Sequence, residues 1–193
     1  DADSTAQTTA FTGLFTATSA KTVTISGDTG FSLGSDLSAT TLTSVDASGI
    51  TSTVASAVGG LTFTSGNFAA AATVKGTAGA GTNTIDVSAA TTAIVTYVGG
   101  SGIDTVVLGT GAFANVLNLG NGTNTVTGAS VGANVITGGS GADTFVTGTN
   151  GNNTVNFGDG TNAFTATTGN NTYTGGTGID TVIVTTGANT IDV

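Results

Sequence analysis

The stretch GGSGADTFV occupies residues 138–146, and its frame returns as GGSGIDTVV at residues 99–107 and as GGTGIDTVI at residues 175–183. Each copy has two glycines, a spacer, a third glycine, a second spacer and an aspartate, with a large apolar residue two places after the aspartate. A frame that returns at intervals is typical of repeat architectures, in which one short unit stacks on the next. The repeat therefore decides the fold class of this 193-residue chain.

The apolar residue two places after the aspartate can be followed through the weaker copies in steps of mostly nine or ten residues. We predict that these marker residues form a narrow core: Ile85, Ile94, Val106, Leu117, Val126, Ile136, Phe145, Val155, Phe164, Tyr173, Val182 and Ile191. Most copies carry asparagine where the three strong copies carry aspartate, namely Asn83, Asn115, Asn124, Asn134, Asn153, Asn162, Asn171 and Asn189.

Each copy predicts a six-residue turn followed by a very short strand. Glycine allows positive φ, and Asn or Asp tolerates tight turns and bonds to the nearby backbone. Side chains of the following strand point alternately to opposite faces, so that the marker is buried and its neighbours are exposed. Because such short strands are not stable alone, we predict an all-β fold, a parallel β-roll or β-helix with two strands and about 18–20 residues per coil.

The spacing is looser before Lys75. The segments KTVTISGDTGFSLG (21–34) and ATTLTSVDASGIT (39–51) still have the features of strands bounded by Gly, Ser and Asp turns. We therefore predict two regions, a looser solenoid-like β-segment over residues 1–75 and a regular roll over residues 76–193. The sequence begins and stops within these patterns, and we expect it to be a piece of a longer chain.

The composition limits the possible functions. The chain has a net charge of −9, eleven acidic residues that are all Asp, and no His or Cys. It therefore has no imidazole or thiol chemistry and no ordinary zinc site, and we expect no enzymatic activity. So acidic a chain should repel nucleic acid and anionic membranes, and it has no apolar run long enough to insert in a bilayer. Multivalent cations are the expected partners.

The three strong copies resemble the RTX nonapeptide, GGxGxDxUx with U a large apolar residue. The resemblance extends through the weaker copies over roughly residues 76–193, although Asn replaces Asp in most of them and many first glycines are missing. It implies a calcium-binding parallel β-roll of the kind found in bacterial proteins exported by type I secretion, and hence an extracellular or cell-surface location with the secretion signal outside this sequence. The Thr/Ala/Gly-rich, Lys-poor stretch at residues 15–51 further resembles RTX-type S-layer proteins.

Two copies per coil would place alternate copies on the same edge of the roll. The first edge, which we call the Asp edge, then receives all three motif aspartates and the additional turn residue Asp159: its residues are Asp104, Asn124, Asp143, Asn162 and Asp180, with Asp159. The second edge, the Asn edge, receives only asparagines: Asn115, Asn134, Asn153, Asn171 and Asn189.

Calcium takes six to eight oxygen ligands and accepts backbone carbonyls among them. The RTX resemblance implies sites between successive coils of the Asp edge, formed by Asp and Asn oxygens and by the glycine-rich backbone. The candidate ligands are Asp104, Asp143, Asp180, Asp159, Asn124, Asn162, Asn121, Gly100, Gly102, Gly139, Gly141, Gly176 and Gly178. Since each pair of coils offers one Asp against one Asn, we expect weaker or fewer sites than in the family. The alternative is a calcium-free solenoid in which these residues only shape turns, and we expect this for the Asn edge.

Three functions stay open at this point. The favoured one is a calcium-dependent, self-assembling segment of a secreted bacterial surface-layer or biofilm-matrix protein. The second is an extender or ice-binding module of a large adhesin, which outward threonines such as Thr125 and Thr127 favour. Val107, Val146 and Ile183 interrupt that array, however. The third is the non-catalytic tail of a secreted enzyme whose catalytic domain lies elsewhere.

Overall fold

The computed structural model describes residues 11–12, 19–33, 41–55, 57–66, 68–128, 131–147 and 151–193. Within these ranges the regular structure consists of short strands and a single 3-10 turn at Ala57–Gly59. The strands are β1 (Phe11–Thr12), β2 (Thr22–Gly27), β3 (Phe31–Leu33), β4 (Ser44–Ile50), β5 (Leu61–Thr64), β6 (Ala72–Lys75), β7 (Asn83–Val87), β8 (Val95–Gly100), β9 (Asp104–Leu108), β10 (Val116–Gly120), β11 (Thr125–Gly128), β12 (Val135–Thr137), β13 (Thr144–Thr147), β14 (Thr154–Asn156), β15 (Ala163–Ala166), β16 (Thr172–Thr174), β17 (Thr181–Val184) and β18 (Thr190–Asp192).

Two parallel sheets of nine strands each make up the fold. The odd-numbered strands form one sheet, sheet A, and the even-numbered strands form the other, sheet B, both in chain order. Successive strands therefore alternate between the sheets, and each strand pairs with the strand one coil away. The all-β solenoid with two short strands per coil that the sequence predicts is confirmed.

The coils shorten along the chain. Leu33 pairs with Phe63, 30 residues later, whereas Val106 pairs with Val126 after 20 residues and Phe164 with Val182 after 18. Both sheets continue across residue 75, because β5 pairs with β7 in sheet A and β6 pairs with β8 in sheet B. In the described residues, the two predicted regions therefore share the same two sheets. They differ in the length of their loops.

The core is a narrow column of apolar side chains between the sheets. Large side chains follow one another in register, for example Val126, Phe145 and Phe164 in sheet A. The ring of Phe164 lies 5.9 Å from that of Phe145 and 5.6 Å from that of Tyr173, which belongs to sheet B. The sequence markers found fully buried here are Ile85, Val106, Leu117, Val126, Ile136, Phe145, Val155, Phe164 and Tyr173.

The prediction that Ile94 belongs to the core is wrong. Ile94 is 39% exposed, whereas Val95 and Tyr97 are buried and Tyr97 pairs with the marker Leu117. The loop before β8 is long, so the marker of this copy lies twelve residues after Ile85 rather than nine. Ile191 is also 39% exposed, because β18 is the last strand of sheet B and has a neighbour on one side only.

Two adjacent residues of β10, one buried and one exposed, test which side chains of a strand face the core. Leu117→Ala should lower the free energy of unfolding by about 2–5 kcal/mol, because a buried side chain leaves a cavity. Val116→Ala should change it by less than about 0.5 kcal/mol, since Val116 is 43% exposed. Denaturant unfolding followed by circular dichroism measures both, and equal shifts would contradict the assignment of inward and outward residues.

Candidate functional site

The Asp edge is the turn that leads from each strand of sheet B to the next strand of sheet A. Five of its side chains point inward and form a ladder along the axis of the solenoid: Asp104, Asn124, Asp143, Asn162 and Asp180. The N–H of Asp104 donates to Oδ1 of Asn124 at 2.9 Å, the N–H of Asn124 to Asp143 at 3.0 Å and that of Asp143 to Asn162 at 2.9 Å. The N–H of Asn162 donates to Asp180 in the same way. The grouping of these five residues on one edge is therefore a feature of the structure.

The Asn edge carries the same ladder with amides alone. The N–H of Asn134 donates to Oδ1 of Asn153 at 3.2 Å, and its Nδ2 donates to the same oxygen at 2.9 Å. The Nδ2 also donates to the carbonyl of Gly132 in its own turn. An asparagine in the ladder is thus both an acceptor and a donor, and its buried polar atoms are satisfied without any ligand.

Aspartate in the same position lacks the donor. Oδ1 of Asp104 accepts from Nδ2 of Asn83 at 2.7 Å, which extends the ladder by one coil toward the N-terminus. Oδ2 of Asp104 and Oδ2 of Asp143 are buried and have no hydrogen-bond partner. A buried carboxylate oxygen without a partner is costly unless a proton or a cation compensates its charge.

The first glycine of each strong copy makes room for this oxygen. A Cβ at Gly99 would overlap Oδ2 of Asp104 and also the carbonyl oxygen of Leu119 in the next coil. Gly138 lies in the same way between Oδ2 of Asp143 and the carbonyl oxygen of Phe157. We call the space beside Gly99 and the space beside Gly138 the two notches. Each notch is therefore lined by two acceptor oxygens, one from each of two successive coils. Hard oxygens of this type are the donor set that calcium prefers, so the residues present fit such an ion.

In the coils of the Asp edge that carry asparagine, a side chain stands where the strong copies have the first glycine. The frame position of Gly99 and Gly138 is taken by Leu119 and Phe157 in the coils that carry Asn124 and Asn162, and both side chains are buried. On the Asp edge, from Asp104 onward, aspartate therefore occurs together with glycine, and asparagine with a large apolar residue. The two carboxylate oxygens without a hydrogen-bond partner, Oδ2 of Asp104 and Oδ2 of Asp143, lie in alternate coils of the Asp edge.

Burial controls the titration of the two inward carboxylates. It raises the pKa of Asp104 to about 6, against the opposing effects of the Asn83 amide and the Tyr97 hydroxyl. Burial also raises the pKa of Asp143. Both groups thus resist ionisation in the folded chain as long as no positive charge compensates them.

Two tyrosines bring hydroxyl groups to the same edge. Tyr97 and Tyr173 are fully buried, and their hydroxyls approach the carboxyl groups of Asp104 and Asp180 without reaching full hydrogen-bond geometry. Burial raises the pKa of both, and the charge of Asp104 adds to the effect at Tyr97 as that of Asp180 does at Tyr173. The sequence analysis missed Tyr97 as a site residue, although its position seven residues before Asp104 equals that of Tyr173 before Asp180.

Other predicted ligands lie on the outside of the edge. Asp159 is exposed, and its Oδ1 accepts from the N–H of Thr177 in the next coil at 2.9 Å, which lowers its pKa. Asn121 accepts from the N–H of Ser140 at 3.1 Å in the equivalent way. These two side chains bond to the following coil and form an outer ladder, separate from the inward one.

The remaining predicted glycines bring the backbones of successive turns together. A Cβ at Gly141 or Gly178, both with positive φ, would overlap the carbonyl oxygen of the turn one coil earlier. Gly100, Gly102, Gly139 and Gly176 face the preceding coil at similarly short range. No three ionisable side chains in the described ranges come together as a metal-binding group, so a cation here would take most of its ligands from carbonyls and amides.

Comparisons of the chain with family models, with curated proteins and with solved structures gave no match. In the described part of the chain no helix is long and apolar enough to cross a membrane.

Replacing the unpartnered Oδ2 of Asp104 by a hydrogen-bond donor should stabilise the cation-free protein. In chelator at neutral pH, Asp104→Asn should raise the free energy of unfolding by about 1–3 kcal/mol, because Nδ2 can donate where Oδ2 has no partner. The matched control Asn134→Asp should lower it, since it removes the bonds from Nδ2 to Gly132 and Asn153. Denaturant unfolding checks both, and a destabilised Asp104→Asn in chelator would show that the carboxylate is satisfied as it stands.

The cation-free protein should also become more stable on mild acidification. The folded pKa of Asp104, about 6, lies above the unfolded value of about 3.9, so the folded chain binds the proton more tightly. The contribution of Asp104 to stability in chelator should rise by about 1.4 kcal/mol between pH 7.5 and pH 5 and by about 2–3 kcal/mol in total, and it should level off below about pH 4. Asp46 acts only below that range, because Lys75 holds its pKa at about 2 and its contribution is lost as the pH falls from about 4 toward 2. Melting curves of the wild type and of Asp104→Asn measure the difference: the stabilisation on acidification should be smaller in the variant, in which only Asp143 of the two buried carboxyl groups remains.

Proposed function

We propose that this chain is a calcium-dependent structural segment of a secreted bacterial surface layer or biofilm matrix, and that it assembles with copies of itself. The observation that carries the proposal is the pair of buried carboxylate oxygens, on Asp104 and Asp143, that lack a partner between successive coils. A divalent cation in each notch would supply the missing positive charge. Because it would bind the folded chain alone, it would stabilise the fold by mass action.

The residues that would hold the ions follow from the notches. Asp104 would share one ion with the turn of Asn124, through the carbonyl of Leu119, and Asp143 would share another with the turn of Asn162, through the carbonyl of Phe157. Gly175 lies beside Oδ2 of Asp180 in the same way, but without a carbonyl oxygen of a following coil. Calcium, with its long and flexible coordination, suits such a set of carbonyl, amide and carboxylate oxygens better than magnesium does.

Assembly is the second part of the proposal. The net charge of −9 makes copies repel one another, and bound calcium would cancel part of it.

The RTX resemblance supports an extracellular setting reached by type I secretion. Calcium is abundant outside cells and scarce within them, so a solenoid of this type would fold after export. We assign the chain no catalytic activity, since its sequence has no His, Cys or Glu.

A calcium series on the wild type tests the function. Calcium at millimolar or lower concentration should raise the melting temperature and change the circular dichroism, and magnesium should do so far less. Light scattering and electron microscopy over the same series should show fibres or sheets. Identical melting curves in calcium and in chelator would refute the calcium site, and a strictly monomeric particle at millimolar calcium would refute the assembly.

Two variants provide matched controls for that series. Asp143→Asn removes the unpartnered carboxylate oxygen beside Gly138 and should abolish a large part of the stabilisation by calcium. Asn153→Asp places a carboxylate on the Asn edge at the equivalent position of the ladder and should create no calcium response. Equal effects of the two substitutions on calcium binding would contradict a role restricted to the Asp edge.

A further inference from the structure

The two tyrosines of the chain stand at the same place in the repeat, seven residues before an aspartate of the Asp edge. Tyr97 precedes Asp104 and Tyr173 precedes Asp180, and both tyrosines are buried on the inward side of sheet B. None of the coils that carry asparagine on this edge has a tyrosine at that position. The tyrosines therefore accompany carboxylates and not amides.

The first glycine of the strong copy lies beside the tyrosine ring. In a β-strand, residues i and i+2 point to the same face about 6.6 Å apart, which is roughly the reach of a tyrosine side chain. Gly99 comes two places after Tyr97, so the ring of Tyr97 can extend over the notch that Gly99 leaves. A Cβ at Gly175 would overlap Oδ2 of Asp180 and would lie 3.5 Å from Cε1 of Tyr173. Carboxylate and ring thus meet at the same glycine.

The hydroxyl of Tyr97 can compensate the carboxylate of its own coil. This hydroxyl and Oδ2 of Asp104 are both buried without a hydrogen-bond partner, and the hydroxyl approaches that carboxyl group. A hydroxyl turns its hydrogen to suit an acceptor, whereas a carboxylate offers acceptors alone. Oδ1 of Asp104 already accepts from Nδ2 of Asn83 at 2.7 Å. With Tyr97 as the donor to Oδ2, both oxygens of Asp104 would have a neutral partner inside the protein.

The notch of Asp143 has no such donor. Ile136 takes the tyrosine position in this coil, in register with Leu117 on one side and Val155 on the other, and all three side chains are buried. The N–H and Nδ2 of Asn124 both donate to Oδ1 of Asp143, at 3.0 Å and 2.9 Å, and Oδ2 has no partner. Within the part of the chain that the structure describes, this notch therefore lacks a hydroxyl that could serve its carboxylate.

We propose that the tyrosine hydroxyl sets the cation affinity of each notch, so that the notch of Asp143 takes calcium first and that of Asp104 second. The inference rests on the proposed calcium function and adds the regulation of its sites. A cation at Asp104 must displace the hydroxyl of Tyr97 from the carboxylate, whereas a cation at Asp143 displaces no side chain. Hydrogen bonds to charged groups are among the stronger ones in proteins, so the two affinities should differ about tenfold or more. Tyr97 would thus act on the ion through Asp104, as a positioning residue.

Tyr97→Phe removes only the hydroxyl and tests the proposal. Calorimetric titration of the wild type with calcium should show two classes of site, and Asp143→Asn should remove the tighter one. In Tyr97→Phe the weaker class should bind about tenfold more tightly, which corresponds to about 1.4 kcal/mol, and the tighter class should not change. Since the chain has no Trp, tyrosine absorption can be followed directly. It should change in the second phase of the wild-type titration and not in the first, and Tyr97→Phe should lack this change.

Two further variants differ by the same hydroxyl at the other notch. Ile136→Tyr brings a hydroxyl to Asp143, and Ile136→Phe is its control for the added size. The tighter class should bind calcium about tenfold more weakly in Ile136→Tyr than in Ile136→Phe. In chelator, Ile136→Tyr should melt about 2–4 °C above Ile136→Phe, and Tyr97→Phe about 2–4 °C below the wild type, because each hydroxyl gives a buried carboxylate a donor.

Several results would overturn the inference. An unchanged calcium titration in Tyr97→Phe would do so, as would equal behaviour of Ile136→Tyr and Ile136→Phe. A tighter class that survives in Asp143→Asn would reverse the order of the notches and overturn it too. A wild type without any calcium response would refute the proposed function together with the order of affinities. The melting differences in chelator would then still decide whether the hydroxyls hold the carboxylates.

Discussion

The hydrogen bond from the backbone N–H of one coil to a buried Asp or Asn oxygen of the next is the interaction on which this solenoid depends. It recurs on both edges at about the same distance, 2.9 Å from Asp104 to Asn124 and 3.2 Å from Asn134 to Asn153. Strands of mostly three to five residues offer few ladder bonds of their own, and the core is a narrow column of side chains between the two sheets. The Asp and Asn ladders hold the turns in register, and the turns in turn align the strands and the columns on both faces.

A ladder of amides and a ladder that includes carboxylates have different requirements. The amide offers a donor and an acceptor at each step, so the Asn edge is complete in itself. The carboxylate offers acceptors alone, and the second oxygen of Asp104 or Asp143 lies against a carbonyl oxygen across the glycine notch. One solenoid thus combines an edge whose amides satisfy one another with an edge on which two buried carboxylate oxygens have no hydrogen-bond partner.

Much of the fold could be predicted because the repeat is so regular. Steps of nine and ten residues define two strands per coil, and from that count alone the three motif aspartates belong to one edge. The error at Ile94 came from an irregular loop, where an insertion moves the buried position from Ile94 to Val95 and Tyr97. Spacing also could not tell the inward Asp143 from the outward Asp159, since both lie in glycine-rich turns and differ only in the direction of the side chain.

The shortening of the coils also determines where folding can begin. Closing a loop of 18 residues costs about 0.5 kcal/mol less conformational entropy than closing one of 30, and the difference recurs with each coil. The C-terminal coils, which combine the shortest loops with the stacked rings of Phe145, Phe164 and Tyr173, are therefore the natural nucleus. Folding would then propagate coil by coil toward the N-terminus, with each completed coil serving as the template for the longer one before it.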